Sequence, residues 1–135
     1  MTDRLQRIFS ELENCKVFAD IGCDHGYIAK AMIASCKAEQ VIISDISAKC
    51  LKKAEQLLKD EMALGKAKSV VSNGFEKVGH CDLALVAGMG GEEIVSILNG
   101  APILPDRLVL QPMKNADKVR VCAVRQGYRI KKDYG

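Results

Sequence analysis

The 135-residue chain has no apolar run near the roughly 20 residues that cross a bilayer. That excludes a membrane-spanning helix. The opening residues, Met1-Thr-Asp-Arg-Leu-Gln-Arg7, lack the apolar core of a secretory signal, so a cytoplasmic protein is expected. The six cysteines fall at 15, 23, 36, 50, 81 and 122 without a C-x-x-C pair, which removes the usual grounds for a zinc ribbon or a thioredoxin-like site. No metal is expected. There is no internal repeat, low-complexity tract or linker, so a single domain is expected. The net charge of +3 is too small to demonstrate nucleic-acid binding. Its distribution is more telling, because Lys114, Lys118, Arg120, Arg125, Arg129, Lys131 and Lys132 face only Asp117 and Asp133 near the C-terminus. That excess suits phosphate, and equally a solvated helix face.

What is present alternates. Thr2 suits the cap of a first helix with Leu5, Ile8, Phe9 and Leu12 on one face. Strands are expected at about 16–21, 41–44, 69–72, 82–87 and 107–110, with a sixth starting at Tyr128-Arg-Ile130. Helices are expected to about Ser35, from a Ser47 cap to Gly65, over about 92–98, and over about 116–126. In the second of these, Ala48, Leu51, Ala54, Leu58 and Met62 should face inward. Strands that alternate with helices imply an α/β fold, mostly parallel, with helices on both faces.

The most informative stretch is Asp20-Ile-Gly-Cys-Asp-His-Gly-Tyr27. It lies between a strand, Lys16-Val-Phe-Ala19, and a helix, Ile28-Ala-Lys-Ala-Met-Ile33, where open α/β sheets bind ligands. Gly22 and Gly26 allow close backbone approach, and Asp20, Asp24 and His25 share the turn. Asp45 follows the second strand, 23 residues beyond Gly22, where an acid can accept ribose hydroxyls. A nicotinamide fold wants G-x-G-x-x-G, but here Asp24 stands at the second glycine position. A carboxylate there repels diphosphate and is compatible with the cationic S-adenosylmethionine. The residues therefore favour S-adenosylmethionine over NAD.

Asn73-Gly74-Phe75 follows the third strand and could serve an adenine edge and face; taken alone it is better read as a plain turn with Phe75 in the core. Gly88-Met89-Gly90-Gly91 follows the fourth strand, beside the first. Its glycine density exceeds what one turn requires. His80 reads as a surface loop residue, and a Cys23–His25 nucleophile pair is disfavoured.

With these residues in place the chain resembles the bacterial tRNA (adenine-22, N1)-methyltransferases, the TrmK family. The resemblance rests on Arg4-Leu5, Ala19-Asp-Ile-Gly-Cys-Asp-His-Gly-Tyr27, Ser72-Asn-Gly-Phe75, Ala87-Gly-Met-Gly-Gly91 and Leu110-Gln-Pro112, in that order along the chain. Cys23, Gly26, Asn73 and Met113 depart from the residues usual in that family. The resemblance implies a Rossmann-like catalytic domain that moves a methyl group from S-adenosylmethionine to adenine N1 of tRNA. It places Asp20, Gly22, Asp24, His25, Asp45, Asn73, Gly88 and Met89 at the cofactor, and the neighbouring Gly26 and Gly74 are included with them. Asp24 is the expected catalytic residue, stabilising the charge that builds on the base or taking a proton from its amine. Family members continue into a seventh strand and a helical C-terminal domain. Residues 1–135 are accordingly expected to be a catalytic domain cut at its C-terminus. A fragment that binds the cofactor without methylating tRNA is the alternative.

Overall fold

The computed structural model describes residues 1–133. Five parallel strands form one sheet in the order β3-β2-β1-β4-β5. They are β1 (Cys15–Ile21), β2 (Ala38–Asp45), β3 (Ala67–Val71), β4 (Leu83–Met89) and β5 (Arg107–Pro112). The central strand is β1, with Asp20 in register between Ile43 of β2 and Leu85 of β4. The chain leaves β1 toward β2 on one side and later returns to place β4 on the other. The carboxyl ends of β1 and β4 therefore face a crevice at the reversal of strand order, where such sheets hold ligands.

Alternation along the strands builds two cores. Phe18, Val41, Ile43, Leu83 and Leu85 point to one face. There they meet α1 (Asp3–Glu11), α2 (Tyr27–Ala34) and α3 (Ala48–Leu57) through Ile8, Met32 and Leu51. Ala19, Ile21, Ile42, Ala84 and Val86 point to the other. They are covered by α5 (Gly91–Asn99) and α6 (Ala116–Arg125) through Ile94, Leu98, Val119 and Cys122. The caps read from sequence form: Leu5 N–H donates to Thr2 Oγ1 at 3.2 Å, and Cys50 N–H to Ser47 Oγ at 3.4 Å.

Two expectations need correction. The helix from Ser47 to Gly65 is two pieces, α3 and a short α4 (Lys59–Ala63). Leu58, fully buried, leaves helical geometry at φ −101 and ψ 17, which lets the second piece swing Glu61 onto Lys30 at 2.6 Å. Ala48 is exposed and Met62 only half-buried, since the break rotates the apolar stripe; Gly65 still ends the segment in the left-handed region. The sixth strand does not form among the described residues. Gly127 turns the chain at φ +98, Tyr128 N–H bonds Ala123 O, and the Tyr128 hydroxyl donates to Pro105 O. These bonds hold the segment beneath α6, and Arg120 pairs with Asp133. A strand at 128–130 would need the free edge of β5. Tyr134 and Gly135, part of the expected terminal segment, lie outside the described residues.

Candidate functional site

The turn after β1 is fixed by backbone bonds before any ligand is considered. Gly22 N–H and Cys23 N–H both donate to Ser44 O of β2, at 2.9 and 3.1 Å. Gly22, Asp24 and Gly26 take φ of +71, +52 and +82. Asp tolerates the left-handed region better than most residues, but a non-glycine there still costs free energy and so points to a constraint at the site. A Cβ on Gly22 would lie 2.5 Å from Met89 Cε, and one on Gly26 would lie 2.9 Å from Ala54 Cβ. Gly22 thus admits the tip of β4's last residue, and Gly26 lets α3 close on the turn.

Above the turn opens a cleft of about 230 Å3. Five residues anticipated from sequence line it: Asp20, Gly22, Asp24, His25 and Gly88. Asp20 is 5% exposed, and burial, then the neighbouring Asp24, pushes its carboxyl from 3.8 up to about 7. Asp24 is exposed, its Oδ1 lies 3.1 Å from His25 Nδ1, and the His25 ring stacks on Tyr27 at 5.5 Å between centroids. Burial, then Asp20 and Asp45, drives the Cys23 thiol up to about 12, which leaves it a protonated, inert side chain and gives the nucleophile reading no support. The same influences show that three carboxylates converge on this turn. Their field attracts a cation and repels a diphosphate.

Residues the sequence reading did not single out for the cleft complete the wall. Arg4, Leu5 and Ile8 come from α1, Tyr27 and Ile28 from α2, and Leu85 and Ala87 from β4. The first helix was read for its core face; Arg4 shares the Arg4-Leu5 motif and offered that signal. The other anticipated residues do not line the cleft. Asp45 ends β2 and its Oδ1 accepts Ser47 N–H at 3.1 Å. Asn73 is exposed, while Gly74 packs on α5, where a Cβ would lie 2.8 Å from Ile97 Cγ2. Phe75 is 2% exposed and belongs to the core, as the plain-turn reading has it. Gly26 and Met89 serve the packing just described. His80 sits on the surface 3.3 Å from Asp106, as expected. Met113 is exposed, its N–H bonded to Met89 O at 2.7 Å. In the basic terminal region Lys118 pairs with Glu92, Arg120 with Asp133 and Lys132 with Glu11, so part of that charge is already balanced.

A parallel sheet of this order, with an acidic glycine turn at the carboxyl end of its central strand, defines a Rossmann-like fold built for a nucleoside cofactor. The chain belongs to the methyltransferase-domain family, whose profile matches residues 1–134. A Mycoplasma pneumoniae candidate tRNA methyltransferase is 36% identical over 109 residues, covering 78% of this chain and 50% of its own length. The tRNA (adenine(22)-N(1))-methyltransferase of Bacillus subtilis strain 168 is 32% identical over 136 residues, covering 96% of this chain and 57% of its own. The structure of M. capricolum TrmK in complex with S-adenosyl-homocysteine superposes with a TM-score of 0.86 at 25% identity, over 97% of this chain and 60% of that one. These relatives meet the resemblance read from the motifs. The chain spans about half the length of the curated relatives it matches. The nicotinamide oxidoreductase reading is not supported.

Proposed function

We propose that this domain, residues 1–135, binds S-adenosylmethionine in the cleft above β1 and β4 and transfers its methyl group to N1 of an adenine in tRNA. The observation that carries the reading is the buried Asp20 beside Asp24 and Asp45, a set of carboxylates suited to a cationic nucleoside. The cofactor, when bound, supplies an electrophilic methyl on a sulfonium. In this reading Asp20 and the Gly22 turn would hold its amino-acid end and Asp45 its ribose, His25, Asn73, Gly88 and Met89 would border it, and Gly26 and Gly74 shape the two turns by letting helices close on them.

Adenine N1 carries a lone pair and needs no activation, so the protein chiefly has to position it. Extruding the base from its stack costs a few kcal/mol, about 3 kcal/mol in order of magnitude. Asp24 is the catalytic residue in this reading. It is exposed at the mouth of the cleft and oriented by His25, so its carboxylate can stabilise the positive charge arriving on the base or accept a proton from the exocyclic amine. Asp24→Asn should then cut the rate of methyl transfer to unmodified tRNA by about 100-fold even when the cofactor is saturating. An unchanged rate refutes the assignment.

Calorimetry with S-adenosylhomocysteine, paired with a methyl-transfer assay read out as 1-methyladenosine, tests the whole proposal. A second reading is a unit that binds the cofactor without turning over tRNA. Cofactor binding without 1-methyladenosine would select it.

A further inference from the structure

Ser72 opens the stretch Ser72-Asn-Gly-Phe75, and the proposed chemistry leaves it without a role. It follows Val71, the last residue of β3, and is 4% exposed. Its backbone N–H donates to Asp45 O at 2.9 Å, which joins it to the acid that ends β2. Its hydroxyl donates to Gly74 O at 2.9 Å and accepts Lys77 N–H at 3.0 Å. Both bonds close on the turn that carries Asn73. Phe75 anchors the same turn in the core, and Gly74 packs it against Ile97 of α5. The Asn73 side chain is exposed, and its amide bonds nothing among the described residues.

We infer that Ser72 is a positioning residue, whose hydroxyl fixes the Asn73 turn in one frame with Asp45 so that the Asn73 carbonyl meets the exocyclic amine of the cofactor's adenine. The inference rests on the cofactor reading above. Asp45 does not depend on that hydroxyl. Its carbonyl is held by the Ser72 backbone, and its Oδ1 by Ser47 N–H at 3.1 Å. The Asn73 turn depends on it more. Its other hydrogen bonds, Glu76 N–H to Asn73 O at 3.3 Å and Val78 N–H to Phe75 O at 3.2 Å, are internal to it. Removing the hydroxyl takes the partner from Gly74 O and Lys77 N–H and loosens the turn. The strand ends stay in register, because the β2–β3 ladder reaches Asp45 and Val71 through backbone alone. A short amide reads a base edge only when the backbone that carries it is held still.

The test is calorimetry on the full chain with S-adenosylhomocysteine and two analogues, one with purine in place of adenine and so without the exocyclic amine, the other with 2′-deoxyribose. The parent should bind S-adenosylhomocysteine about 5- to 10-fold more tightly than the purine analogue, the worth of one neutral hydrogen bond. Ser72→Ala should cut that preference to within about twofold, while the penalty for the 2′-deoxy ligand stays within about twofold of the parent's. Ser72→Cys, close in shape but a weak hydrogen-bonding group, should do the same. Asn73→Ala should remove the preference outright, and adding Ser72→Ala to it should change neither ratio further, because the serine acts through the amide. General destabilisation lowers all three affinities together and moves neither ratio. A Ser72→Ala or Ser72→Cys chain that keeps the preference for adenine, or that loses ribose discrimination along with it, overturns the inference. A parent that binds the adenine and purine ligands equally overturns it and leaves the cofactor reading standing; a parent that binds none of the three overturns both.

Discussion

Asp20→Asn probes the buried acid on which the site depends. Asp20 lies in the central strand between Ile43 and Leu85, and its carboxyl sits near 7 because burial, then Asp24, disfavours the charge. The folded-state value lies above the unfolded-state value of 3.8, so the folded chain holds this proton more tightly. The cost of ionising Asp20 is therefore absent below about pH 4, grows as pH rises toward 7, and is complete above it. The gap between the two values corresponds to about 4 kcal/mol in full. Between about pH 5 and pH 8 the accumulated part is roughly 2–3 kcal/mol.

Asn keeps the shape and removes the titration. Urea denaturation of parent and variant across this range, with the difference taken at each pH, isolates Asp20 because every other group titrates in both chains. The variant should gain on the parent by roughly 2–3 kcal/mol from about pH 5 to pH 8. A difference that stays constant refutes the buried, raised carboxyl. Ligand binding should run the other way. Parent affinity for S-adenosylhomocysteine should be about tenfold weaker near pH 6 than near pH 8, because the amine prefers the ionised acid. The variant should bind weakly with no such dependence.

Gly91→Ala should destabilise the fold by roughly 2–3 kcal/mol in urea denaturation, since its Cβ would lie 2.4 Å from Asn115 O and 2.6 Å from Lys114 O, both backbone. A neutral result would show that the loop before α6 can give way. Asp82→Ala should cost about 2 kcal/mol, because Asp82 accepts the N–H groups of Lys16 and Val17 at 2.9 and 2.6 Å where β1 begins. Burial alone would raise the Asp82 carboxyl, but the Lys16, Val17 and own N–H groups and Arg107 outweigh it and hold it below 3.8. Its contribution is present above that value and lost as pH falls through the lower folded one, so the gap between parent and variant should narrow in acid, and a gap that stays constant as pH falls would refute this account.

The architecture was legible because period and punctuation agreed. Thr2, Ser47 and Gly65 bound their helices where sequence placed them, and the five strands fall within a few residues of expectation. The failures share a cause. Leu58 and Tyr128 each sit in a segment with the right local pattern, yet a tertiary bond or a buried side chain decided the outcome. Local propensity does not record whether a neighbouring strand edge is reached. At the site, the residues on the turn were readable because one short stretch carries them. Arg4 carried only the Arg4-Leu5 motif as a signal, since its place in the cleft depends on how α1 packs, 16 residues before Asp20 in sequence.

The glycines show how a motif mixes two kinds of constraint. Gly22, Gly26, Gly74 and Gly91 look alike in sequence, but a Cβ at each would strike a different object. At Gly26, Gly74 and Gly91 it would strike a helix or the backbone of a neighbouring loop. Those positions are required by packing, and a protein of this fold with another chemistry would need them as much. At Gly88 the nearest atom is the flexible end of Arg4, inside the cleft. A Cβ there would meet a mobile guanidinium and still carry the strain of positive φ. Gly88 is thus the glycine whose substitution should disturb ligand binding more than folding. The glycine-rich stretch that ends β4 borders the cleft at Gly88 and is fixed by packing at Gly91.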